Sequence, residues 1–107
     1  NAPEAVGFWR VAQQFGADVA LAGHDHDYER FAQMDNSGRI RSDGIQSFVA
    51  GASGKTLYGK HRNVGGSRYF RGDRFGVLRL SLRPNGWTWQ YRDLTGRILD
   101  AGYRSCH

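Results

Sequence analysis

The 107-residue sequence has a single cysteine, Cys106, and therefore no internal disulfide. It has no run of about eighteen apolar residues and no charged-then-apolar leader, which argues against a membrane span or a signal peptide within these residues. The only methionine is Met34, and the chain begins at Asn1. We therefore expect a processed or excised piece of a longer protein.

Lysine is also scarce, because thirteen of the fifteen basic residues are arginine, against ten acids and a net charge of +5. The basic residues are scattered and nowhere form a tract of five or more. Nucleic-acid binding is usually marked by a clustered basic patch, so we predict a solvated arginine-rich surface and no nucleic-acid or membrane partner. With 39% hydrophobic and 13% aromatic residues, the composition is that of a packed globular domain.

The start of the chain predicts a helix followed by a buried strand. Residues 1–16 have a helical pattern, and Gly16 is placed to end the helix. Residues 18–22 follow as a short apolar strand that we expect to be covered on both faces. Helix, turn and buried strand are half of a βαβ unit, so an α/β fold is expected. The apolar stripe expected on the helix consists of Phe8, Val11, Ala12 and Phe15.

The rest of the chain alternates predicted strands with polar or glycine-rich loops. We expect an exposed loop over residues 32–44 and a long irregular loop over residues 51–72. No repeat or domain boundary is evident, so residues 1–107 are interpreted as one piece of a domain. His107 is expected to be frayed at the terminus. The predicted strands cover residues 45–50, 75–83, 87–92 and 97–99, with a hairpin turn at 84–86 and with Trp87, Trp89 and Tyr91 packing in a core.

The segment most suggestive of chemistry follows the apolar run of residues 19–22 and reads Gly23-His24-Asp25-His26-Asp27-Tyr28-Glu29-Arg30. His24 and His26 are metal-competent imidazoles at the carboxyl end of a predicted strand, where ligands bind in open α/β sheets. Their spacing directs both rings to one side, which suits ions roughly 3.5–4 Å apart, as in dinuclear hydrolytic sites. Asp25, Asp27 and Glu29 are carboxylates available to orient the imidazoles.

Residues 22–31, Ala-Gly-His-Asp-His-Asp-Tyr-Glu-Arg-Phe, resemble the last signature block of the calcineurin-like metallophosphoesterases, in the purple-acid-phosphatase-like branch. The resemblance implies that His24 ligates one metal ion of a pair and His26 the other, the ions being Zn, Fe or Mn. It implies supporting or structural positions for Tyr28, Glu29 and Arg30. The helix before the motif, the strand at residues 48–51 and the closing hairpin are also similar to the C-terminal third of this family.

The resemblance implies both a fold class and a function. The chain would be the C-terminal portion of a four-layer α/β/β/α sandwich, a helix followed by mixed and antiparallel strands. None of the family's upstream blocks, Asp-x-His, Gly-Asp and Gly-Asn-His, precedes Gly23 here. Two imidazoles are too few to hold two ions, because such sites need three or more protein ligands per ion.

We therefore predict a fragment of a metal-dependent phosphoester hydrolase that is inactive without the N-terminal half of its domain. No catalytic residue is assigned to this chain. Metal-assisted hydrolysis of a phosphate-ester substrate is expected only in the complete enzyme. Secretion is implied by the resemblance, and Cys106 would then need a partner elsewhere.

Several other interpretations are open at the level of the sequence. Lys55, His61 and Arg62 are candidates for the border of a substrate cleft, against the alternative of a merely solvated loop. A phosphate-loop motif at residues 54–56 lacks the glycine required five positions earlier, where Val49 stands. An HD-type phosphohydrolase is disfavoured, because its motif sits within helices. The principal alternative is a non-catalytic binding or structural module in which Gly-His-Asp-His is a polar turn.

Overall fold

The computed structural model describes residues 3–54 and 65–107, and within them the chain forms one helix and seven strands. The expected α/β fold, a helix followed by mixed and antiparallel strands, is confirmed. Within the described ranges no helix has the length and apolar character needed to cross a membrane. The elements are α1 Pro3–Gln14, β1 Val19–Ala22, β2 Tyr28–Met34, β3 Ile45–Ala50, β4 Ser67–Arg71, β5 Gly76–Arg83, β6 Gly86–Asp93 and β7 Ile98–Ser105.

The first sheet has the strand order β1-β3-β2-β4. β1 lies parallel to β3, with Val19 opposite Gln46 and Ala22 opposite Val49, and the other two pairs are antiparallel. Because β1 and β3 run in the same direction, their carboxyl ends meet at one end of the sheet. The residues that follow Ala22 therefore lie beside those that follow Ala50, where ligands bind in α/β sheets.

The second sheet is an antiparallel meander of order β5-β6-β7. The predicted hairpin joins β5 to β6, with Arg83 opposite Gly86 at the turn. The two-residue period of a strand directs Trp87, Trp89 and Tyr91 to one face, where all three are buried. The prediction that these rings pack in a core is confirmed.

The hydrophobic core lies between the two sheets and is mostly aromatic. Tyr28 of β2 and Phe48 of β3 meet Trp87, Trp89 and Tyr91 of β6. The rings of Tyr28 and Tyr91 are stacked with centroids 4.0 Å apart, and Phe48 meets Trp89 edge-on at 5.6 Å. Such pairs contribute about 0.5–1.5 kcal/mol each beyond their buried area, so these contacts hold the two sheets together.

The helix ends as its sequence predicts. Gly16 has a positive φ of 75°, a conformation that costs little only for glycine. The amide of Gly16 donates to the carbonyl of Gln13, and the amide of Ala17 donates to that of Ala12. These paired bonds form a Schellman motif, which terminates the helix by satisfying its last carbonyls.

Three of the four residues expected to form an apolar stripe are exposed, namely Phe8 and Val11 of α1 and Phe15 directly after the helix. Phe8 and Phe15 are each 81% exposed and Val11 is 52% exposed. The opposite side of the helix contacts the loop after β2 through Trp9, whose indole N–H donates to the Asp35 carbonyl at 3.2 Å. Apart from the half-buried Ala12, the stripe is not covered by the described residues.

The prediction that the first strand is covered on both faces is wrong, because the second half of β1 is exposed to solvent. Leu21 is 59% exposed, and Ala22 is exposed as well. Among the residues that the structure describes, no strand pairs with the outer edge of β1. The apolar run predicted to be a buried strand thus lies at an edge of the sheet in the described part of the chain.

The sequence analysis predicts no strand at the positions of β2 and β4, and it predicts a shorter β7 than the structure has. β2 extends into the loop expected over residues 32–44, β4 lies within the loop expected over residues 51–72, and β7 has eight residues where three were expected over 97–99. Strand β7 lacks hydrophobic alternation because its core-facing positions hold polar or small residues. Those positions are Asp100, Gly102 and Arg104.

His107 is held against the first sheet, which contradicts the expectation that it is frayed. Its ring Nε2 lies 2.9 Å from the Gly44 carbonyl, and its amide donates to Asp18 Oδ1 at 2.9 Å. Both partners directly precede strands of the first sheet, so His107 lies at the end of that sheet opposite the histidine motif.

Candidate functional site

The loop between β1 and β2, residues 23–27, carries both histidines of the motif. His24 and Asp25 are exposed, His26 is half-buried and Asp27 is buried. The Asp25 amide donates to the Gly23 carbonyl at 3.0 Å, and the Asp27 amide donates to the Asp25 carbonyl at 2.8 Å. The loop therefore consists of two successive three-residue turns, which keep both histidines close to the carboxyl end of β1.

His24 has a φ of 76°, in the left-handed region that residues with side chains seldom adopt. No other non-glycine residue in the described ranges has a positive φ. Such a conformation costs on the order of 1–2 kcal/mol and persists only where the surrounding structure enforces it. This local strain makes His24 a candidate functional residue on structural grounds as well as by its chemistry.

Gly51, directly after β3, is in contact with the same loop. Its amide donates to the Asp27 carbonyl at 3.0 Å. A Cβ atom at this position would lie 2.1 Å from the carbonyl oxygen of Asp25 and 3.4 Å from the amide nitrogen of His24. Glycine is required for this close approach, by which the end of β3 fixes the backbone between the two histidines.

The Tyr-Glu-Arg part of the motif belongs to β2, and its tyrosine and arginine form hydrogen bonds to the second sheet. The Tyr28 hydroxyl donates to Asp100 Oδ2 at 2.6 Å. Arg30 donates to both carboxylate oxygens of Asp100, from Nε at 2.8 Å and from Nη2 at 3.2 Å. The indole N–H of Trp89 also donates to Oδ2, at 3.3 Å. Asp100 of β7, a buried carboxylate, thus accepts four hydrogen bonds from β2 and β6.

Burial keeps the two stacked tyrosines of the core neutral. Desolvation raises the pKa of Tyr28 far above the usual tyrosine range, and the hydrogen bond to Asp100 raises it further. Desolvation likewise raises the pKa of Tyr91 to about 12. At physiological pH Tyr28 therefore serves as a hydrogen-bond donor, and neither ring is a candidate general base.

Glu29 lies on the other face of β2. It is buried and accepts a hydrogen bond from Ser67 Oγ of β4 at 2.5 Å. Together with Asp25 and Trp9 it lines an open groove of about 660 Å³ beside α1. The carboxylate of Glu29 is therefore tied to β4, while its neighbours in sequence are tied to the second sheet.

The two histidines are suitable metal donors but do not form a complete site with other described residues. Within residues 3–54 and 65–107, no group of three or more His, Cys, Asp or Glu side chains could hold an ion. Imidazole nitrogens suit Zn, Fe or Mn. Metal ligation by His24 and His26 stays a prediction, and a complete site would need ligands from outside the described residues.

The candidate cleft residues Lys55, His61 and Arg62 lie outside the described residues, and their role stays a prediction. Conversely, sequence reasoning missed Asp100 and Ser67, which bind the side chains of the motif. A lone acid directly after two aliphatic residues, as at Ile98-Leu99-Asp100, is the signal that could have drawn attention to Asp100.

Comparison with known proteins shows where this fold occurs. No protein-family model matches the chain, and no curated protein matches it. Among solved structures, it is similar to a purple acid phosphatase isolated from yellow lupin (Lupinus luteus) seeds, with a TM-score of 0.79 and 22% sequence identity. The match covers 92% of this chain and 19% of that chain. The chain has the fold of part of a purple acid phosphatase.

The fold expected from residues 22–31 is thereby confirmed. At 22% identity the match shows the fold alone. The chain spans about a fifth of the length of the lupin phosphatase, so the activity of that enzyme is a basis for a proposal about this chain and not a property of it.

Proposed function

We propose that this chain is the part of a metal-dependent phosphoester hydrolase that supplies His24 and His26 to a dinuclear metal site. The observation that carries the proposal is the position of the Gly-His-x-His loop. It lies at the carboxyl ends of the parallel strands β1 and β3, in a fold shared with a purple acid phosphatase. Ligands bind beyond this end of the strands in open α/β sheets.

The chemistry of the donors suits the proposed ions. Neutral imidazole is a ligand of Zn, Fe and Mn, and the choice among them depends on ligands beyond these two. A pair of such ions supplies a nucleophile at neutral pH and stabilises charge on the phosphate. The contribution of this chain is to hold two imidazoles on a loop fixed by Gly51 and Tyr28. Asp25, exposed between them, is available to orient a ring.

The expected partner of this chain is the N-terminal half of the same domain. Phe8 of α1, Phe15 directly after it and Leu21 of β1 are exposed, and β1 has an open edge in the described part of the chain. Beside that edge, Leu21, Leu78 and Leu80 line an open pocket of about 360 Å³. Soluble domains usually cover such apolar surfaces and unpaired strands. The same N-terminal half would provide the remaining ligands, so we propose that the chain alone is inactive.

Secretion of the complete enzyme is part of the proposal and has its own test. Cys106 is exposed, so it is available for a disulfide with a cysteine outside this chain. The coding sequence upstream of Asn1 should encode a signal peptide together with the Asp-x-His, Gly-Asp and Gly-Asn-His blocks. An unrelated domain in that place would contradict the proposal.

The decisive experiment uses the protein as its gene encodes it, with any residues that precede Asn1. Bound metal is measured by elemental mass spectrometry, and activity by hydrolysis of p-nitrophenyl phosphate. We expect two ions per chain, of which at least one is lost in His24→Ala and in His26→Ala. The value of kcat should fall by more than about 100-fold, since even residues that only support a ligand are worth 10–100-fold.

His107→Ala is the matched control for the two histidine variants. It removes the same imidazole, but from a ring that bonds to the Gly44 carbonyl at the other end of the first sheet. This variant should keep its metal and its activity. A wild-type protein without bound metal, or three variants with the same metal content, would contradict the proposal.

The second candidate function is a non-catalytic binding or structural module with a polar Gly-His-Asp-His turn. The observation that favours it is the lack of a third metal-ligating side chain near the histidines in the described part of the chain. A gene-encoded protein that binds no metal and hydrolyses no phosphate ester, although His24 and His26 are intact, would establish this function instead.

A further inference from the structure

We infer that Asp100 is a positioning residue for the histidine loop, because its carboxylate anchors Tyr28 and Arg30 immediately after that loop. The inference rests on the proposed function for the purpose of the loop. The contacts that carry it involve no metal and can be tested without one.

Asp100 has the geometry of a strong anchor. Its carboxylate is buried in β7, 72 positions along the chain from Tyr28. Arg30 engages both of its oxygens, and hydrogen bonds between ionised groups are among the strongest in proteins. The Arg30 guanidinium also lies over the Trp89 ring, 5.4 Å from its centroid. Two alternate residues of β2, Tyr28 and Arg30, are therefore bound to the second sheet.

Tyr28 connects the Asp100 anchor to the histidine loop. It directly follows Asp27, whose carbonyl accepts the hydrogen bond from Gly51. Its ring is fully buried and stacked on Tyr91, and its hydroxyl is held by Asp100 at 2.6 Å. The bond between Tyr28 and Asp100 therefore anchors the residue that directly follows the loop.

The negative charge of Asp100 is as important for anchoring β2 as the shape of its side chain. The side chain of Arg30 is only 18% exposed, so its positive charge needs a partner. Asparagine in place of Asp100 keeps the size of the side chain but leaves that charge unpaired. We expect Arg30 to turn toward solvent and the start of β2, with the loop before it, to open locally.

The test is hydrogen–deuterium exchange by mass spectrometry on the gene-encoded protein without metal. In Asp100→Asn, peptides covering residues 23–29 should exchange about tenfold faster than in the wild type, because a local opening becomes easier. The matched control is Trp87→Phe, which shrinks a buried ring of the same sheet. The indole N–H of Trp87 has no hydrogen-bond partner in the described structure, so this variant removes packing and no anchor.

Loop exchange in the two variants is compared at temperatures that lie equally far below the thermal midpoint of each variant. Faster exchange of the loop in Asp100→Asn but not in Trp87→Phe supports a positioning role. Equal exchange of the loop in the two variants, or no change in Asp100→Asn, overturns it. If Asp100→Asn does not fold, Tyr28→Phe removes only the hydroxyl and should speed exchange of the loop about threefold. No change in that variant likewise overturns the inference.

The same proteins are then titrated with Zn²⁺ alone. Asp100→Asn should bind it about tenfold more weakly than the wild type, as is usual for a group that supports a metal ligand. A wild-type protein that binds no Zn²⁺ refutes the proposed function but not the exchange result. The two failures are therefore distinguishable.

Discussion

Replacing Gly51 by alanine would test whether the end of β3 fixes the histidine loop. The new Cβ would lie 2.1 Å from the Asp25 carbonyl oxygen, whereas ordinary contact begins at 3.4 Å, so the backbone has to open by about 1.3 Å. This movement would also break the 3.0 Å hydrogen bond between the Gly51 amide and the Asp27 carbonyl. We expect the free energy of unfolding to fall by about 1–3 kcal/mol, the usual cost of overpacking.

The displacement would act between His24 and His26, so it should affect function as well as stability. A misplacement of about 1 Å can cost about 100-fold in catalysis. We expect the Zn²⁺ affinity and kcat of the gene-encoded Gly51→Ala protein to fall by at least about tenfold. Urea unfolding followed by tryptophan fluorescence gives the stability, and calorimetric titration with Zn²⁺ gives the affinity.

Gly23→Ala is the matched control for Gly51→Ala. It adds the same methyl group to the same loop, but a Cβ at position 23 meets no atom within 4 Å, and the φ of Gly23 is not positive. This variant should keep the stability and the Zn²⁺ affinity of the wild type. Equal losses in the two variants would refute the reasoning.

Two further predictions concern the core and the exposed apolar surface. The raised pKa values of Tyr28 and Tyr91 mean that the unfolded chain ionises first as pH rises. The contribution of each tyrosine to the free energy of unfolding is therefore fully present below about pH 10. Above that pH it falls by up to about 1.4 kcal/mol per pH unit for each ring. Urea unfolding at increasing pH checks this, and the fall should be shallower in Tyr28→Phe; identical slopes would contradict it. The 107-residue chain by itself should form oligomers through Phe8, Phe15 and the open edge of β1, and less so with both phenylalanines changed to lysine. Analytical ultracentrifugation decides this, and a monomeric chain with a sharp two-state melt would contradict it.

The position of the histidine loop could be predicted from the sequence because its signals are local. Four apolar residues end at Ala22 and a glycine follows, so the end of a strand is recognisable from adjacent residues. β3 matches the predicted residues 45–50, and the hairpin at residues 84–86 is marked by its own turn residues. These features depend on short stretches of chain.

The surroundings of the loop could not be predicted because they depend on distant residues. Asp100 meets Tyr28 across 72 positions, and the contact of Gly51 with Asp25 is a steric fit that no periodicity encodes. The exposure of Phe15 and Leu21 was missed for a related reason. A hydrophobic pattern shows which face of an element is apolar but not whether other residues of the chain cover it.

The order of residues within the motif follows from the two-residue period of β2. Side chains at positions 28 and 30 share one face, so a single carboxylate, Asp100, can bind both Tyr28 and Arg30. Glu29 points the other way and is held from β4 by Ser67. A slip of one residue would send the tyrosine and arginine to the outer face and leave Asp100 buried without its partners.

The loop of residues 23–27 is short, and its two internal hydrogen bonds join residues only two apart. The accuracy with which His24 and His26 are placed therefore depends also on the strands at the two ends of the loop. β1 and β3 supply one end, and the anchored start of β2 supplies the other. In the proposed site, the Tyr-Glu-Arg strand would support the two histidines without any of its side chains having to touch a metal ion.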